Sequence, residues 1–243
     1  MAKTPDQSQI RRKKIDAMRE QEKRARRRNK NLAVSLTVIG VFVVLLAAGF
    51  VVNRLSDPEP AAVAAGESQY VRADSHKLSV APDGKVTLVE FLDFECEACR
   101  AAFPVVEDLR KQYAGKVTFV ARYFPLPGHF NAERAARAVE ASARQGKFEA
   151  MYQRMYETQT QWGEKQVPAD DAFRGLAKSL GLDMTAWEKA YNAPETLERI
   201  NKDVTDGKAL GMTGTPTFFL NGRRLQPESE ADFKAAINAA LAS

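Results

Sequence analysis

From Leu32 to Val52 the chain runs through twenty-one residues without a charge, LAVSLTVIGVFVVLLAAGFVV. A core helix keeps a polar stripe for solvent, and this run has none. At about 1.5 Å per residue it would reach roughly 31 Å, the thickness of the bilayer's hydrocarbon layer. The pattern therefore predicts a transmembrane helix over 32–52. Residues 53–69 are rich in Pro, Ala and Ser and follow no period, which predicts a linker. A globular domain is expected over 70–243.

Within that domain the apolar positions change period several times. Residues 86–92 form a continuous, β-branched run after Asp83-Gly84, the mark of a buried strand. Residues 97–113 predict a helix with Ala98, Ala101, Ala102, Val105, Val106 and Leu109 turned inward. Pro104 falls inside it and is expected to kink it, because its ring meets the carbonyl of Arg100. Gly115 closes the helix, and residues 117–123 read as a second strand. Strand, helix and strand at this spacing make a βαβ unit on a parallel sheet.

A long helical stretch follows. Ala132, Ala135, Ala136, Val139 and Ala143 share one face, and Phe148, Met151, Tyr152, Met155 and Tyr156 share another. Phe173, Leu176, Ala177 and Leu180 mark a further helix closed by Gly181. Trp187 and Tyr191 mark a short one, and Leu197, Ile200 and Val204 the next. The helical insertion is expected over about 130–208. These Met and aromatic stripes read as core. The chain then returns to strand character at 217–220 and 223–225, around the hairpin dipeptide Asn221-Gly222. A final helix carries Phe233, Ala236, Ile237, Ala240 and Leu241. The expected order is β-α-β, helices, then β-β-α.

Charge changes the picture at the N-terminus. Residues 1–31 carry a net +8 from twelve Lys and Arg against four acids, whereas the whole chain is +5. The high pI thus belongs to the tail and does not point to nucleic-acid binding by the domain. A basic block before an apolar span places 1–31 in the cytoplasm and the domain outside. A signal peptide has an apolar core of about 7–15 residues with its cleavage site close behind. Here the run is longer, and the nearest small-residue stretch, 61–65, lies beyond Pro58 and Pro60. The sequence favours an uncleaved anchor.

The chain has two cysteines, Cys96 and Cys99, in the order Cys96-Glu97-Ala98-Cys99 where a strand gives way to a helix. Neither has another partner within the chain. A disulfide across so short a loop removes little chain entropy, so it is a poor staple and a good redox centre. The competing reading is half a metal site. Zinc takes four ligands, a second CxxC is absent, and only His76 and His129 could complete such a set.

The segment Phe91-Leu92-Asp93-Phe94-Glu95-Cys96-Glu97-Ala98-Cys99 resembles the active-site entry of the DsbA-like thiol–disulfide oxidoreductases. Phe124-Pro125-Leu126-Pro127-Gly128-His129, with the later Gln145-Gly146-Lys147-Phe148, is similar to that family's passage into its helical domain. Gly214-Thr215-Pro216-Thr217-Phe218 is similar to its cis-proline loop. The resemblance covers about residues 70–243 and is nearest to membrane-anchored Gram-positive, especially actinobacterial, members. It implies an α/β thioredoxin fold with an inserted helical domain, and an enzyme that oxidises cysteine pairs of exported proteins. A reductase or isomerase, or a tethered chaperone without redox turnover, are the alternatives. It implies no cofactor and no metal. A DsbB-like or VKOR-like membrane protein would be the re-oxidising partner.

The same resemblance assigns roles. Cys96, at a helix N-terminus where the dipole and unpaired N–H groups favour a thiolate, is the attacking, solvent-facing sulfur. Cys99, one turn inward, resolves the mixed disulfide. Glu90, six residues before Cys96, is implied as the buried acid that moves Cys99's proton; the alternative is an acid facing solvent at a sheet edge. Thr215 and Pro216 are implied to form a cis peptide that pairs with an extended substrate. Between the cysteines this chain has Glu97 and Ala98, where many DsbA-like enzymes have Pro-His. Asp93, Glu95 and Glu97 are expected to crowd Cys96 with negative charge and to oppose its ionisation. His129 reads as a structural loop residue.

Overall fold

The computed structural model describes residues 68–243. The basic tail, the apolar run 32–52 and all but the end of the linker lie outside the described residues. Among the described residues no helix is long and apolar enough to cross a membrane.

Strand β1 (His76–Ser79) precedes β2 (Thr87–Leu92), α1 (Glu97–Gln112) and β3 (Thr118–Tyr123). Five helices follow: α2 (Ala132–Ala143), α3 (Phe148–Trp162), α4 (Asp170–Ser179), α5 (Met184–Asn192) and α6 (Pro194–Ala209). Strands β4 (Thr217–Leu220) and β5 (Arg223–Leu225) and helix α7 (Glu230–Ala242) complete the domain. The sheet order is β1-β3-β2-β4-β5. β2 and β3 are parallel, joined through α1; the other neighbours are antiparallel. This is the α/β thioredoxin-like fold with a helical insertion.

Two expectations are corrected. β1 is missing from the order that the apolar pattern predicts. His76-Lys77-Leu78-Ser79 has a single buried residue, Leu78, and gains its strand form by pairing with β3 at the sheet edge. On α1 the inward face is turned. Ala98 and Ala101 are exposed, while Cys99, Val106 and Leu109 are buried. Cys96 is the N-cap of α1 and fixes its phase, so the burial of Cys99 leaves Ala98 outside. The helix continues through Pro104 to Gln112. The long helical stretch breaks in two at Gly146, whose positive φ of 71° suits a residue without a Cβ.

The sheet separates two apolar clusters. On one face Leu88, Leu92, Phe119 and Tyr123 pack with α1, α7 and the insertion; on the other Val89, Phe91, Val120 and Phe219 meet Phe124 and Met212. Alternation along β2 places Glu90 on the same face as Leu88 and Leu92, beneath α1.

α6 shows why its sequence pattern is incomplete. Leu197 and Val204 are half-buried, whereas Arg199, Asp203 and Asp206 are buried. The two acids meet Arg122 of β3, which is fully buried: its Nε donates to Asp203 Oδ1 at 2.6 Å and its Nη2 to Asp206 Oδ2 at 2.6 Å. Arg72 adds two bonds to Asp206, at 2.6 and 2.7 Å. The network ties the segment before β1 to β3 and α6.

Candidate active site

The turn from β2 into α1 carries both cysteines, as thiols. Cys96 is 7 % exposed and Cys99 0 %. Cys96 is thus less open than a solvent-facing sulfur, because the Thr215–Pro216 loop lies over it. That peptide bond is cis. The Cys96 thiol donates to the Thr215 carbonyl at 3.4 Å, and Cys99 Sγ accepts from the Asp93 backbone N–H at 3.5 Å. Glu97 and Ala98 both face outward.

Cys96 is poised to ionise. Its pKa falls from a thiol's ordinary value to about 5. The Cys99 thiol donating to its sulfur is the strongest cause; burial opposes it, and the Thr215 side chain and the N–H groups of Cys99 and Ala98 add to it. A thiolate has no proton to give the Thr215 carbonyl, so it must take donors instead. The Thr215 hydroxyl, buried and without a hydrogen-bond partner among the described residues, is free to serve as such a donor. Cys99 is pushed the other way, well above its ordinary value, by burial first and then by its bond to Cys96. The two sulfurs therefore differ in kind: one is a nucleophile at neutral pH, the other a held thiol.

Glu90 lies below them, 4 % exposed. Burial, with the charges of Glu107 and Cys96, raises its pKa to about 8. It is a buried acid on the core face, not an acid at a solvated edge. Near neutrality both of its protonation states are accessible, as a proton acceptor for Cys99 requires.

The expected crowding of Cys96 by acids is corrected. Asp93 and Glu95 are each 1 % exposed and are engaged elsewhere. Asp93 accepts from the backbone of Glu95 (2.8 Å) and Leu126 (2.9 Å) and pairs with His129 Nδ1 (2.6 Å). Glu95 accepts from the backbone N–H groups of Asn131 and Glu164. They anchor the loop after β3 and the end of α3. His129 is therefore more than a loop residue. Burial disfavours its charge, but Asp93 outweighs this and raises its pKa, and the Cys96 charge acts in the same sense.

A family model described as Thioredoxin matches residues 81–239. The chain belongs to the thioredoxin family. Among solved structures, a thioredoxin-like oxidoreductase from Silicibacter pomeroyi shares 28 % identity at a TM-score of 0.60, over 70 % of this chain and 93 % of that one. Wolbachia pipientis α-DsbA1 (18 % identity, TM-score 0.63, 71 % and 93 % covered) and Bacillus subtilis BdbD (22 %, 0.59, 68 % and 92 %) share the fold. Among curated proteins, an Na(+)/H(+) antiporter NhaA 1 of Mycobacterium sp. (strain KMS) is 29 % identical over 210 residues, 82 % of this chain and 32 % of that protein. An NhaA of Herminiimonas arsenicoxydans is 34 % identical over 155 residues, 64 % and 24 %. The match spans about a third or less of these curated relatives.

In this thioredoxin-family chain the structure brings Cys96, Cys99, Glu90, Thr215 and Pro216 together. Glu97 and Ala98 stay at the rim. His76, a possible metal ligand by sequence, instead bonds Glu140 at 2.7 Å and stacks on Phe148. Three contributors escape the sequence. The Thr215 hydroxyl acts on Cys96, beyond the expected pairing of the Thr215 backbone with substrate. His129 owes its position to Asp93, which only tertiary folding supplies. Gln159 of α3 donates to the carbonyls of Phe94 (2.7 Å) and Cys96 (3.0 Å), and so holds the active-site turn from the insertion. A lone Gln in an amphipathic helix carries no signal of such a role.

Proposed function

We propose that the chain is a membrane-tethered, extracytoplasmic thiol–disulfide oxidoreductase that oxidises cysteine pairs of exported proteins. The supporting observation is the asymmetric pair: a Cys96 thiolate favoured beside the cis-Pro216 loop, over a held Cys99 with Glu90 at its back. In its disulfide form the protein accepts attack by a substrate thiolate at Cys96. The Cys96–Cys99 bond breaks and a substrate–Cys96 disulfide forms. A second substrate thiolate then displaces Cys96, leaving oxidised substrate and reduced enzyme. A thiolate stabilised on Cys96 is a good leaving group and favours the reduced enzyme, which is the oxidising direction. The reductant is the substrate dithiol; re-oxidation would fall to a DsbB-like or VKOR-like membrane protein. The Silicibacter pomeroyi neighbour is described as an oxidoreductase, in line with this reading. Antiport belongs to the NhaA relatives as whole proteins, of which the matched portion is a minor part.

The test is equilibration in glutathione buffers of graded ratio, together with turnover of a dithiol peptide. A potential more oxidising than the glutathione couple, with peptide oxidation, is expected. A potential below it, with disulfide reduction the faster reaction, would reverse the assigned direction. For tethering, protease added to intact spheroplasts should digest the domain and spare residues 1–31. Release of a soluble domain with a new N-terminus near Gly66 would mean that the apolar run is a cleaved signal.

A further inference from the structure

On the far side of Cys99 from solvent, three elements bring Glu90 together with polar groups that have no part in the exchange described above. β2 supplies Glu90, α3 supplies Tyr152 and Tyr156, and α1 supplies Glu107 and Arg110. Four atoms here are buried and have no hydrogen-bond partner among the described residues: Glu90 Oε2, the hydroxyls of Tyr152 and Tyr156, and Arg110 Nε. Tyr152 is 0 % exposed and Tyr156 3 %. A buried phenol is normally satisfied by protein or by ordered water. Two of them beside a buried carboxyl, none paired with another, make a polar seam through an otherwise aromatic core.

The aromatic rings that carry these groups are packed together. The two tyrosine rings stand edge to face at 5.3 Å, and each packs on Phe103 of α1, at 5.5 and 5.2 Å. The charges of Glu90 and of Cys99 act on both phenols, and Glu107 acts on Glu90 and on Tyr152. Glu107 is part-exposed and bonds Arg110 at 2.6 Å, so it closes the seam at the surface. All of this lies on the core face under α1.

We propose that Tyr152 and Tyr156 are proton-relay residues, carrying the proton of Cys99 from Glu90 through their hydroxyls and intervening water to Glu107 and solvent. This rests on the exchange reading above. When Cys99 resolves a mixed disulfide, its S–H proton passes to ionised Glu90. The Cys99 thiolate then attacks Cys96, the Cys96–substrate bond breaks, and the substrate sulfur leaves with the electron pair. Glu90 must lose that proton before another cycle. Each phenol gives up its proton on one side as it accepts one on the other, so neither ionises. That suits their burial, which holds both well above a phenol's ordinary pKa. In the reverse step, opening of the Cys96–Cys99 disulfide, the same path delivers a proton to Cys99.

The experiment uses the full chain with Tyr152→Phe, Tyr156→Phe and both together. Three quantities are read: the single-turnover rate at which Cys99 resolves a Cys96–glutathione disulfide, its solvent deuterium isotope effect, and the rate of Cys96 alkylation. Resolution is expected to slow about threefold to tenfold, with a larger isotope effect, while alkylation stays within about twofold of the unaltered protein. A merely structural role would not raise the isotope effect. If the double variant fails to fold, the single ones carry the comparison. Variants that fold and resolve at the unaltered rate, with the same isotope effect, overturn the relay alone. An unaltered protein that neither resolves the mixed disulfide nor forms it when its Cys96–Cys99 disulfide meets reduced glutathione overturns the exchange reading and the relay with it.

Discussion

At the scale of single residues, the reactivity of Cys96 is set by what touches its sulfur. The sequence made the dithiol legible, since two cysteines in CxxC spacing at a strand-to-helix junction have few other uses. Which neighbours tune it was not legible: Asp93 and Glu95 are close in sequence yet buried in other bonds, and Thr215 is distant in sequence yet in contact. Replacing Thr215 by Val keeps the shape and removes the hydroxyl. The Cys96 pKa should then rise from about 5 by on the order of one unit, as for loss of one hydrogen bond to a charged group. Thiolate absorbance titrated against pH reads the change directly, and an unmoved midpoint would mean that the hydroxyl is not a donor. Glu97→His exchanges an anion for a partial cation at the rim. It should lower the same pKa, but by less, because the exposed side chain is screened by water and salt. A rise on Glu97→His would refute any electrostatic part for this position.

At the scale of elements, hydrophobic period predicted the helices and the central strands, and failed where burial is polar or pairing is distant. β1 has too few apolar residues to announce itself and exists because β3 offers an edge. α6 has the clearer lesson. Its inner face includes Arg199, Asp203 and Asp206, which on pattern alone belong in solvent; they are inside because Arg122, from an otherwise apolar strand, is inside too. Gly207 on the same face sits where an added Cβ would come within 2.7 Å of the Phe124 ring, so α6 approaches the end of β3 closely. Removing one member of a buried ion network leaves its partners short of charge, and here Asp206 would keep Arg72 and Asp203 would keep Arg199. Arg122→Met should therefore lower unfolding stability by about 3–5 kcal/mol, measured by urea denaturation at neutral pH. A loss under about 1 kcal/mol would mean that Arg72 and Arg199 satisfy Asp206 and Asp203 without Arg122.

At the scale of the whole molecule, the buried acid under the dithiol links catalysis to stability. Glu90 has a folded-state pKa of about 8 against an ordinary value of 4.5. A carboxyl whose pKa is raised favours the fold while protonated. Its contribution is fully present below about pH 4.5 and is lost as pH rises through about 8. The loss runs at about 1.4 kcal/mol for each pH unit crossed between those two values. Cys96 has the opposite sense. Its pKa of about 5 lies below the ordinary thiol value of 9, so its contribution to the reduced protein is present above 9 and fades as pH falls through 5. The Glu90→Gln variant keeps the Cys96 contribution and deletes that of Glu90. The reduced variant should match the parent near pH 4.5 and become progressively the more stable of the two toward pH 8, by several kcal/mol. Urea unfolding of both reduced proteins across that range measures the divergence. The same variant should exchange disulfides more slowly, since Gln cannot take the proton of Cys99. Greater stability with slower exchange would identify Glu90 as a group kept for chemistry at a cost to the fold. Parallel stability curves would mean that Glu90 does not titrate across this window and cannot be the proton acceptor.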